Sequence, residues 1–546
     1  MDPRKLITRE KTPRHLEAGD ADALAGSLRD LLEKESAALP DESAAWTLYP
    51  ASAVTVLDGI FLAARKGAAR HLLALHSAVL APAWKSRFTG TTRGGREMAL
   101  HILPANEENM AVLRSLLPFL RAKPPGTTPS FGFGDRLGLA TPGHVAAVRG
   151  SGLFPILAQQ SIRELARTNR TPRQVMDDAT FGAFLSGYAD GFGADADHLK
   201  TTEDIDRMAG AGFNFFTLDP SAFVDDHVNQ DPPDVLRDKY EKTTQAVRGS
   251  YHWRKRYLER SFVFPIEGDP DGFTVTFDEE TLFRTAVKYG RAVKHAAEMA
   301  QHASRVMGTK PFEIEMSVDE TSLPTTTAEH LFIVLELQER QVHLASLAPR
   351  FTGHFEKGVD YKGDPAHFET ALRRHKAISQ KHGAYKISVH SGSDKFAVYP
   401  ALARVMHPFF HVKTAGTSYL EALRVAARKD TAFFREIVGF CRDRYDTDKA
   451  TYHVSAALKD VAPPDKLPDA RLEGDYLDKD PGRQILHVTF GSVLLDPALK
   501  ERIMALLVKE EETYDGVLKT HLGKHVKLLA PPVAAQTSTP IGTPES

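Results

Sequence analysis

Short apolar or β-branched segments alternate with helical patterns from Ser130 to about Lys429. An extended segment that is followed each time by a helix is typical of βαβ units, whose strands lie parallel in one sheet. The extended segments number eight, and they start at Ser130, Leu153, Ala196, Phe213, Phe312, Val342, Tyr385 and Pro408. Eight units over about 300 residues predict an α/β fold, a (β/α)8 barrel of the TIM type that occupies residues 126–430.

The segments on either side of this repeat follow different patterns. Residues 1–125 mix helical stretches with short apolar runs and end in KPPGTTPS, which predicts an N-terminal α/β region and a boundary. Residues 431–546 indicate a C-terminal helical region, followed by a Pro/Ser/Thr tail that we expect to be disordered. The charged and aromatic block from Asp225 to Arg260 is interpreted as an elaborated loop after the fourth strand.

The composition argues against several classes of protein. Among 546 residues, 69 Lys plus Arg face 71 Asp plus Glu, and the net charge of −2 gives no global attraction to nucleic acid or anionic lipid. We find no signal peptide and no apolar run long enough for a membrane span. The single cysteine, Cys441, suits a reducing cytoplasm and leaves His, Asp and Glu to hold any metal. We therefore expect a soluble, cytoplasmic protein with neither nucleic acid nor a membrane as a partner.

Polar side chains at the C-terminal ends of the predicted strands are the candidates for chemistry, because these ends converge on one face of a barrel. We expect His198, His390 and His411, from three different strands, to hold a divalent cation through neutral imidazole nitrogens. His144, after the first strand, is the leading substitute. The chain has 23 histidines, and a hydrogen-bonded structural role is the alternative for each candidate.

The fifth predicted strand, FEIEMSVDE, carries carboxylates on one face. Alternation with period two puts Glu313, Glu315, Ser317 and Asp319 on the same side. An inward carboxylate on a central strand must meet a metal, a base or a substrate, or else a Lys or Arg of a neighbouring strand. Glu320 begins the following loop and is a candidate general acid or base.

Asp197 and His198 are adjacent in the chain. Their side chains diverge if the third strand stays extended, and they share one site only if the strand ends there. At such an end Asp197 can act as a base while His198 binds metal; an N-cap role in the next helix is the alternative for Asp197. The stretch SFGFGDRLG lacks the dinucleotide-binding spacing, so we expect no nucleotide cofactor.

Six stretches carry a resemblance to a known family: FGFGDRLGLATPGH, ADHLKTTEDI, EMSVDETSLPTT, SLAPRF, KISVHSGSDKF and HVKTAGTSYLEAL. They resemble the bacterial tagaturonate epimerase family, which interconverts D-tagaturonate and D-fructuronate in hexuronate catabolism. The resemblance implies a divalent metal such as Zn, Mn, Ni or Co. By matching motifs it also implies metal ligands His198, His390 and His411, a proton acceptor Asp197, and a proton donor that is either Glu320 or Glu315.

The chemistry of this reaction narrows the mechanism. The two sugar acids differ at a carbinol carbon two bonds from both the ketone and the carboxylate, so neither group activates its C–H bond. We expect a retro-aldol cleavage, rotation of the aldehyde and re-addition, with the metal stabilising the enediolate and a carboxylate taking the hydroxyl proton. Lys413, Lys395 and Arg350 are the candidates for binding the substrate carboxylate.

Two other functions stay open at the level of the sequence. A metal-dependent aldolase or ketose isomerase acting on a sugar acid would use nearly the same pocket, because the fold alone does not decide the reaction. A non-catalytic sugar-acid-binding protein would keep the basic residues but would not need the metal.

Overall fold

The computed structural model describes residues 2–36, 45–80, 86–94, 97–247 and 253–530. Its N-terminal part contains helices α1 (Ala18–Ser36) and α2 (Glu107–Leu116) and an antiparallel sheet. The strands of this sheet are β1 (Arg14–His15), β2 (Trp46–Val56), β3 (Gly59–Lys66), β4 (Ala69–Ser77), β5 (Thr91–Gly94) and β6 (Met98–Pro104). They are ordered β1-β2-β3-β4-β6-β5.

Strand β3 explains why this sheet forms. Ile60 and Leu62 belong to a buried cluster with the apolar side of α1, whereas Phe61 and Ala63 belong to the main core of the protein. Because successive side chains of a strand point to opposite faces, the sheet is buried between α1 and the rest of the molecule. The sequence pattern indicates only short apolar runs in this region and does not predict their antiparallel pairing.

The centre of the fold is a closed barrel of parallel strands. Its strands are β7 (Ser130–Phe133), β8 (Phe154–Ser161), β9 (Gly193–Leu199), β10 (Phe215–Leu218), β13 (Glu313–Val318), β14 (Ser346–Pro349), β15 (Lys386–Val389) and β16 (Phe410–Thr414). The order around the barrel is β10-β13-β14-β15-β16-β7-β8-β9. Each of the eight predicted strand segments overlaps one of these strands, so the predicted (β/α)8 barrel is confirmed.

Helices surround the barrel and follow its strands. They are α3 (Thr141–Val148), α4 (Ile162–Thr168), α5 (Pro172–Leu185), α6 (Thr202–Gly210), α9 (Glu279–Met307), α10 (Thr327–Glu339), α11 (Pro365–Lys381), α12 (Tyr399–Met406) and α13 (Thr417–Lys429). The long connection after β10 contains α7 (Pro233–Ala246), α8 (Trp253–Tyr257) and an antiparallel hairpin of β11 (Arg260–Ile266) and β12 (Asp269–Phe277). The elaborated loop is therefore present, and it contains an antiparallel hairpin that the sequence pattern did not predict.

The C-terminal region is helical, as predicted. Its helices are α14 (Thr431–Asp448), α15 (Asp469–Glu473), α16 (Asp480–Val488), α17 (Phe490–Leu495), α18 (Pro497–Lys509) and α19 (Glu511–Leu529). The long helical pattern from Pro497 is divided at Glu510 into two helices. Within the part of the chain that is described, every helix is too short or too polar to cross a lipid bilayer. The tail predicted to be disordered lies outside the described residues, and the boundaries at residues 125 and 430 remain predictions.

Helix α19 connects the C-terminal region to the N-terminal sheet. The Tyr49 hydroxyl donates to Glu511 at 3.0 Å, and Arg65 forms an ion pair with the same carboxylate. One turn further, Asp515 is half-buried, and its Oδ1 is buried without a hydrogen-bond partner. Burial and the nearby Glu511 raise the pKa of Asp515 to about 7, although Arg65 opposes them.

This buried carboxyl predicts that stability depends on pH. The pKa of Asp515 in the folded chain lies above its value in the unfolded chain. The contribution of this side chain to the free energy of unfolding is therefore complete below about pH 4 and is lost as pH rises through 7. Asp515→Asn stays neutral throughout. We expect it to raise the midpoint of thermal unfolding at pH 8, by the equivalent of about 1–2 kcal/mol, and to change it little at pH 4.

Calorimetric scans at the two pH values check this expectation. Glu512→Gln is the matched control, because Glu512 is an exposed acid on the same helix, and its effect should not differ between pH 4 and pH 8. An Asp515→Asn effect of the same size at both pH values would contradict the prediction.

Candidate active site and metal centre

A break in strand β9 brings Asp197 and His198 to one site. The register of β9 against β10 shifts at this point, and His198 has a left-handed φ of 52°. This conformation is uncommon for a residue other than glycine, and it interrupts the alternation that would send the imidazole to the opposite face from Asp197. The N-cap of α6 is Thr201, whose hydroxyl accepts from Asp204 N at 3.2 Å, so Asp197 does not serve as the cap.

Lys413 on β16 neutralises three carboxylates inside the barrel. Its ammonium lies 2.8 Å from Asp195 Oδ2, 2.9 Å from Asp197 Oδ1 and 2.8 Å from Glu315 Oε1, and its side chain is 2% exposed. Burial lowers the pKa of Lys413, but the carboxylates outweigh burial and hold this pKa well above its usual value. Burial alone would raise the pKa of Glu315, yet Lys413 and His390 hold it well below its usual value.

His198 and His390 face each other above this ammonium group. Their ring centroids are 5.1 Å apart. His390 Nε2 lies 2.5 Å from Glu315 Oε1 and His390 Nδ1 lies 3.4 Å from Asp319 Oδ1, while His198 Nδ1 lies 3.4 Å from Asp219 Oδ2. Burial and Lys413 lower the pKa of His390, but Asp319 and Glu315 outweigh them and raise it to about 10.

Asp197, His198 and His390 form a group that could hold a metal ion. One ligand atom from each lies within 4.8 Å of the others. The Nδ1 atoms of His198 and His390 are buried and make no hydrogen bond, and the carboxylate oxygen near each of them is 3.4 Å away. Two imidazoles and one carboxylate are ligands that suit Zn²⁺ and related divalent metals, and they leave further positions open. The residues present therefore fit the predicted cation.

The structure does not bring His411 or His144 into this group. His411 is fully buried on β16, where its Nδ1 lies 3.0 Å from Ser130 Oγ and burial lowers its pKa to about 3. His144 lies on α3, with Nε2 2.7 Å from Ser418 Oγ and its ring stacked on Phe133. Both histidines sit in the hydrogen-bonded structural positions that we weighed as the alternative.

The two candidate proton donors occupy different environments. Glu315 is fully buried on β13 and accepts hydrogen bonds from Thr217 and Ser346 in addition to its contacts with Lys413 and His390. Glu320 is exposed in the loop after β13 and lines the cavity above the metal-ligand group. A substrate in that cavity can reach Glu320, whereas every side of Glu315 is already occupied.

The three predicted carboxylate-binding cations also differ in their surroundings. The Lys413 ammonium is occupied by the three acids described above. The Lys395 ammonium is buried and donates to the backbone carbonyls of Glu356, Val359 and Ser393. Arg350 is half-buried at the wall of the cavity and donates to the carbonyl oxygen of Asp319 at 3.3 Å.

A cavity of about 350 Å³ opens at the barrel mouth. Three of its lining residues, Arg163, Lys357 and Tyr452, were not among the predicted site residues. Arg163 lies two positions after the end of β8, where a search of every strand end would have found it. Lys357 comes from the loop after β14 and Tyr452 from the C-terminal region, and neither position follows a periodic pattern in the sequence.

Comparison with known proteins identifies close relatives. The family model described as tagaturonate epimerase matches residues 49–529. A Thermotoga maritima protein named tagaturonate/fructuronate epimerase is 44% identical over 427 residues, which cover 78% of this chain and 85% of the relative. The native crystal structure of a fructuronate-tagaturonate epimerase from Cohnella laeviribosi is similar with a TM-score of 0.83 and 34% identity, covering 92% of this chain and 99% of that one. Its complex with two glycerols gives the same score over 93% and 100% of the two chains.

The ligand group predicts which histidines govern metal binding. Because one donor is lost in each case, we expect His198→Gln and His390→Gln to weaken Zn²⁺ or Mn²⁺ binding by about 10- to 100-fold or more in calorimetric titrations. His411→Gln is the matched control and should retain the wild-type affinity, since His411 lies outside the group. Loss of affinity in His411→Gln equal to that in the other two variants would refute this assignment.

Proposed function

Since this chain belongs to the tagaturonate epimerase family, we propose that it interconverts D-tagaturonate and D-fructuronate at the mouth of the barrel. The observation that carries the proposal is the group of Asp197, His198 and His390 beneath a cavity that Glu320 lines. The group combines candidate metal ligands with carboxylates that can exchange protons, which an epimerisation without C–H activation requires. The cytoplasm stays the proposed compartment.

We assign the divalent cation to His198 and His390, with the carboxylate of Asp197 beside them. When bound there, the cation supplies electrostatic stabilisation of negative charge that develops on a substrate oxygen. Asp219, Glu315 and Asp319 lie around the two imidazoles and orient them. The contact of Glu315 with His390 Nε2 resembles the carboxylate–imidazole pairs that commonly fix the ring orientation of metal-binding histidines, because it leaves the Nδ1 atom of the ring for the cation.

The proposed reaction breaks and remakes one carbon–carbon bond. A carboxylate accepts the proton of the hydroxyl group on the reacting carbon, the bond between this carbon and its neighbour on the ketone side breaks, and the electron pair goes to the ketone half as an enediolate. The aldehyde half turns about its remaining carbon–carbon bond and presents its other face. Addition of the enediolate to that face, with return of a proton to the new alkoxide, gives the epimer.

Two carboxylates are available for these proton transfers. We propose Asp197 as the acceptor, since its side chain adjoins both imidazoles, and Glu320 as the donor, since it is exposed to the cavity. Glu315 holds His390 and Lys413 in place and does not exchange protons with the substrate. Asp197→Asn distinguishes a role as base from a role as metal ligand. If Asp197 is the base, this variant loses turnover but still binds the metal, whereas loss of a ligand would also weaken metal binding.

The reaction itself is tested with purified protein loaded with Mn²⁺ or Zn²⁺ and incubated with D-tagaturonate. We expect D-fructuronate to accumulate until equilibrium, and chelation followed by dialysis to reduce the rate at least 100-fold, with recovery on adding the cation back. Chromatography of the products measures both effects. Net release of three-carbon products would indicate an aldolase, a different ketose would indicate an isomerase, and binding without turnover would indicate a sugar-acid-binding protein.

The bond cleavage predicts that fragments exist during turnover. We expect isotopically labelled dihydroxyacetone, added during the reaction, to enter the ketone half of the sugar acid at a low rate, because the cleaved halves occasionally dissociate before re-addition. Mass spectrometry of the recovered product measures this incorporation. Heat-inactivated protein is the control, and complete absence of label over many turnovers of active enzyme would contradict the retro-aldol route.

A further inference from the structure

Cations at the barrel mouth differ in whether a carboxylate neutralises them. Lys413 contacts three carboxylates, and Arg136 forms a buried ion pair with Glu164 at 2.9 Å. By contrast, no carboxylate of the described residues comes within 4 Å of Arg163 or Lys357, and the Lys357 ammonium donates only to Ser391 Oγ, at 2.9 Å. Burial lowers the pKa of Arg163, but more distant carboxylates, those of Glu320, Glu164 and Asp197, raise it and keep the guanidinium charged. Cations that lack a partner acid at the wall of a cavity favour an anionic ligand.

Arg163 and Lys357 also lie where a substrate must pass. Both line the mouth cavity of about 350 Å³ and the narrower pocket that contains Asp197 and His198. Arg350 lines only the outer cavity. A sugar acid that places its hydroxyl groups at the candidate metal ligands would therefore have its other end next to Arg163 and Lys357, which line both the pocket and the cavity.

A segment of the C-terminal region holds these cations in place. The Arg163 guanidinium lies over the Tyr452 ring, 5.8 Å from its centroid, and the Arg167 guanidinium lies over the same ring at 5.1 Å. Ser455 Oγ donates to Glu356 Oε2 at 2.7 Å, which fastens this segment to the residue next to Lys357. Arg167 also donates to the Tyr452 hydroxyl, whereas the contact between Arg163 and the ring restricts the guanidinium without using its hydrogen-bond donors, which stay free for a ligand.

We propose that Arg163 and Lys357 form the subsite for the substrate carboxylate and that Tyr452 is the positioning residue for Arg163. The inference rests on the proposed function and deepens it. After the carbon–carbon bond breaks, the carboxylate belongs to the aldehyde half, which has to turn before re-addition. Two cations that bind this carboxylate keep the aldehyde half in the site while its aldehyde group turns about the remaining carbon–carbon bond.

Binding of unreactive analogues tests the subsite without turnover. L-Galactonate has the configuration of D-tagaturonate and carries the carboxylate, and galactitol has the corresponding alcohol. In calorimetric titrations of the metal-loaded protein we expect L-galactonate to bind more tightly than galactitol, and Arg163→Gln and Lys357→Met each to reduce this preference about tenfold. Arg207→Gln, which removes an exposed arginine of α6, is the matched control and should keep the preference. An unchanged preference in both site variants, or none in the wild type, would overturn the subsite.

Turnover supplies a second measurement that a merely structural role would not move. Arg163→Gln should release about tenfold more of the free three-carbon aldehyde acid per turnover than the wild type, as measured by chromatography of samples quenched during the reaction, because the aldehyde half escapes more often. Arg163→Gln and Tyr452→Ala should both raise the KM for D-tagaturonate. Tyr452→Phe, which keeps the ring, should retain most of the wild-type KM. Equal effects of Tyr452→Phe and Tyr452→Ala would overturn the positioning role.

The two experiments distinguish this inference from the proposed function. A wild-type protein that binds L-galactonate preferentially but does not epimerise D-tagaturonate would refute the proposed reaction and leave the subsite standing. A wild-type protein that epimerises D-tagaturonate while Arg163→Gln and Lys357→Met keep the full preference for the acid would refute the subsite alone.

Discussion

The buried ammonium group of Lys413 makes the acidic interior of this barrel possible. Asp195 and Asp197 of β9 and Glu315 of β13 enter the same space, and their mutual repulsion would be severe in surroundings from which water is excluded. A single central cation contacts all three. The carboxylates can therefore remain ionised at neutral pH and present acceptor atoms to His390 and to the proposed cation.

Charge in the site is arranged in two layers. Acidic side chains and imidazoles form the floor, where the barrel strands end, and cations without acid partners stand in the walls of the mouth. A linear sugar acid has the complementary arrangement, since its hydroxyl and ketone oxygens suit a metal centre and its carboxylate suits a guanidinium. The mouth layer depends on the C-terminal region, because Tyr452 contacts Arg163 from there.

The sequence predicted the barrel well and the site in part. Buried parallel strands such as EIEMSV are locally distinctive, and strand ends correctly indicated Asp197, His198 and His390 as neighbours. His411 was predicted as a third ligand but lies outside the group. Periodicity locates a residue on a strand but does not show how deep in the barrel its ring lies. The sequence did not predict Arg163, Lys357 and Tyr452 as neighbours. Arg163 follows the end of β8, Lys357 lies in the loop after β14 and Tyr452 lies in the C-terminal region, so only the tertiary fold brings them together.

Helix α19, which ends at Leu529, packs against α3, which follows the first barrel strand. Gly143 of α3 lies directly against Leu518, so the two helices are in close apposition. During synthesis the first βα unit is made about 370 residues before its covering helix, and its apolar surface must wait uncovered while the intervening chain is translated. Contacts of such large sequence separation form late and slow the final assembly, so ribosome-bound intermediates of this protein would be natural clients for chaperones that shield exposed apolar surface.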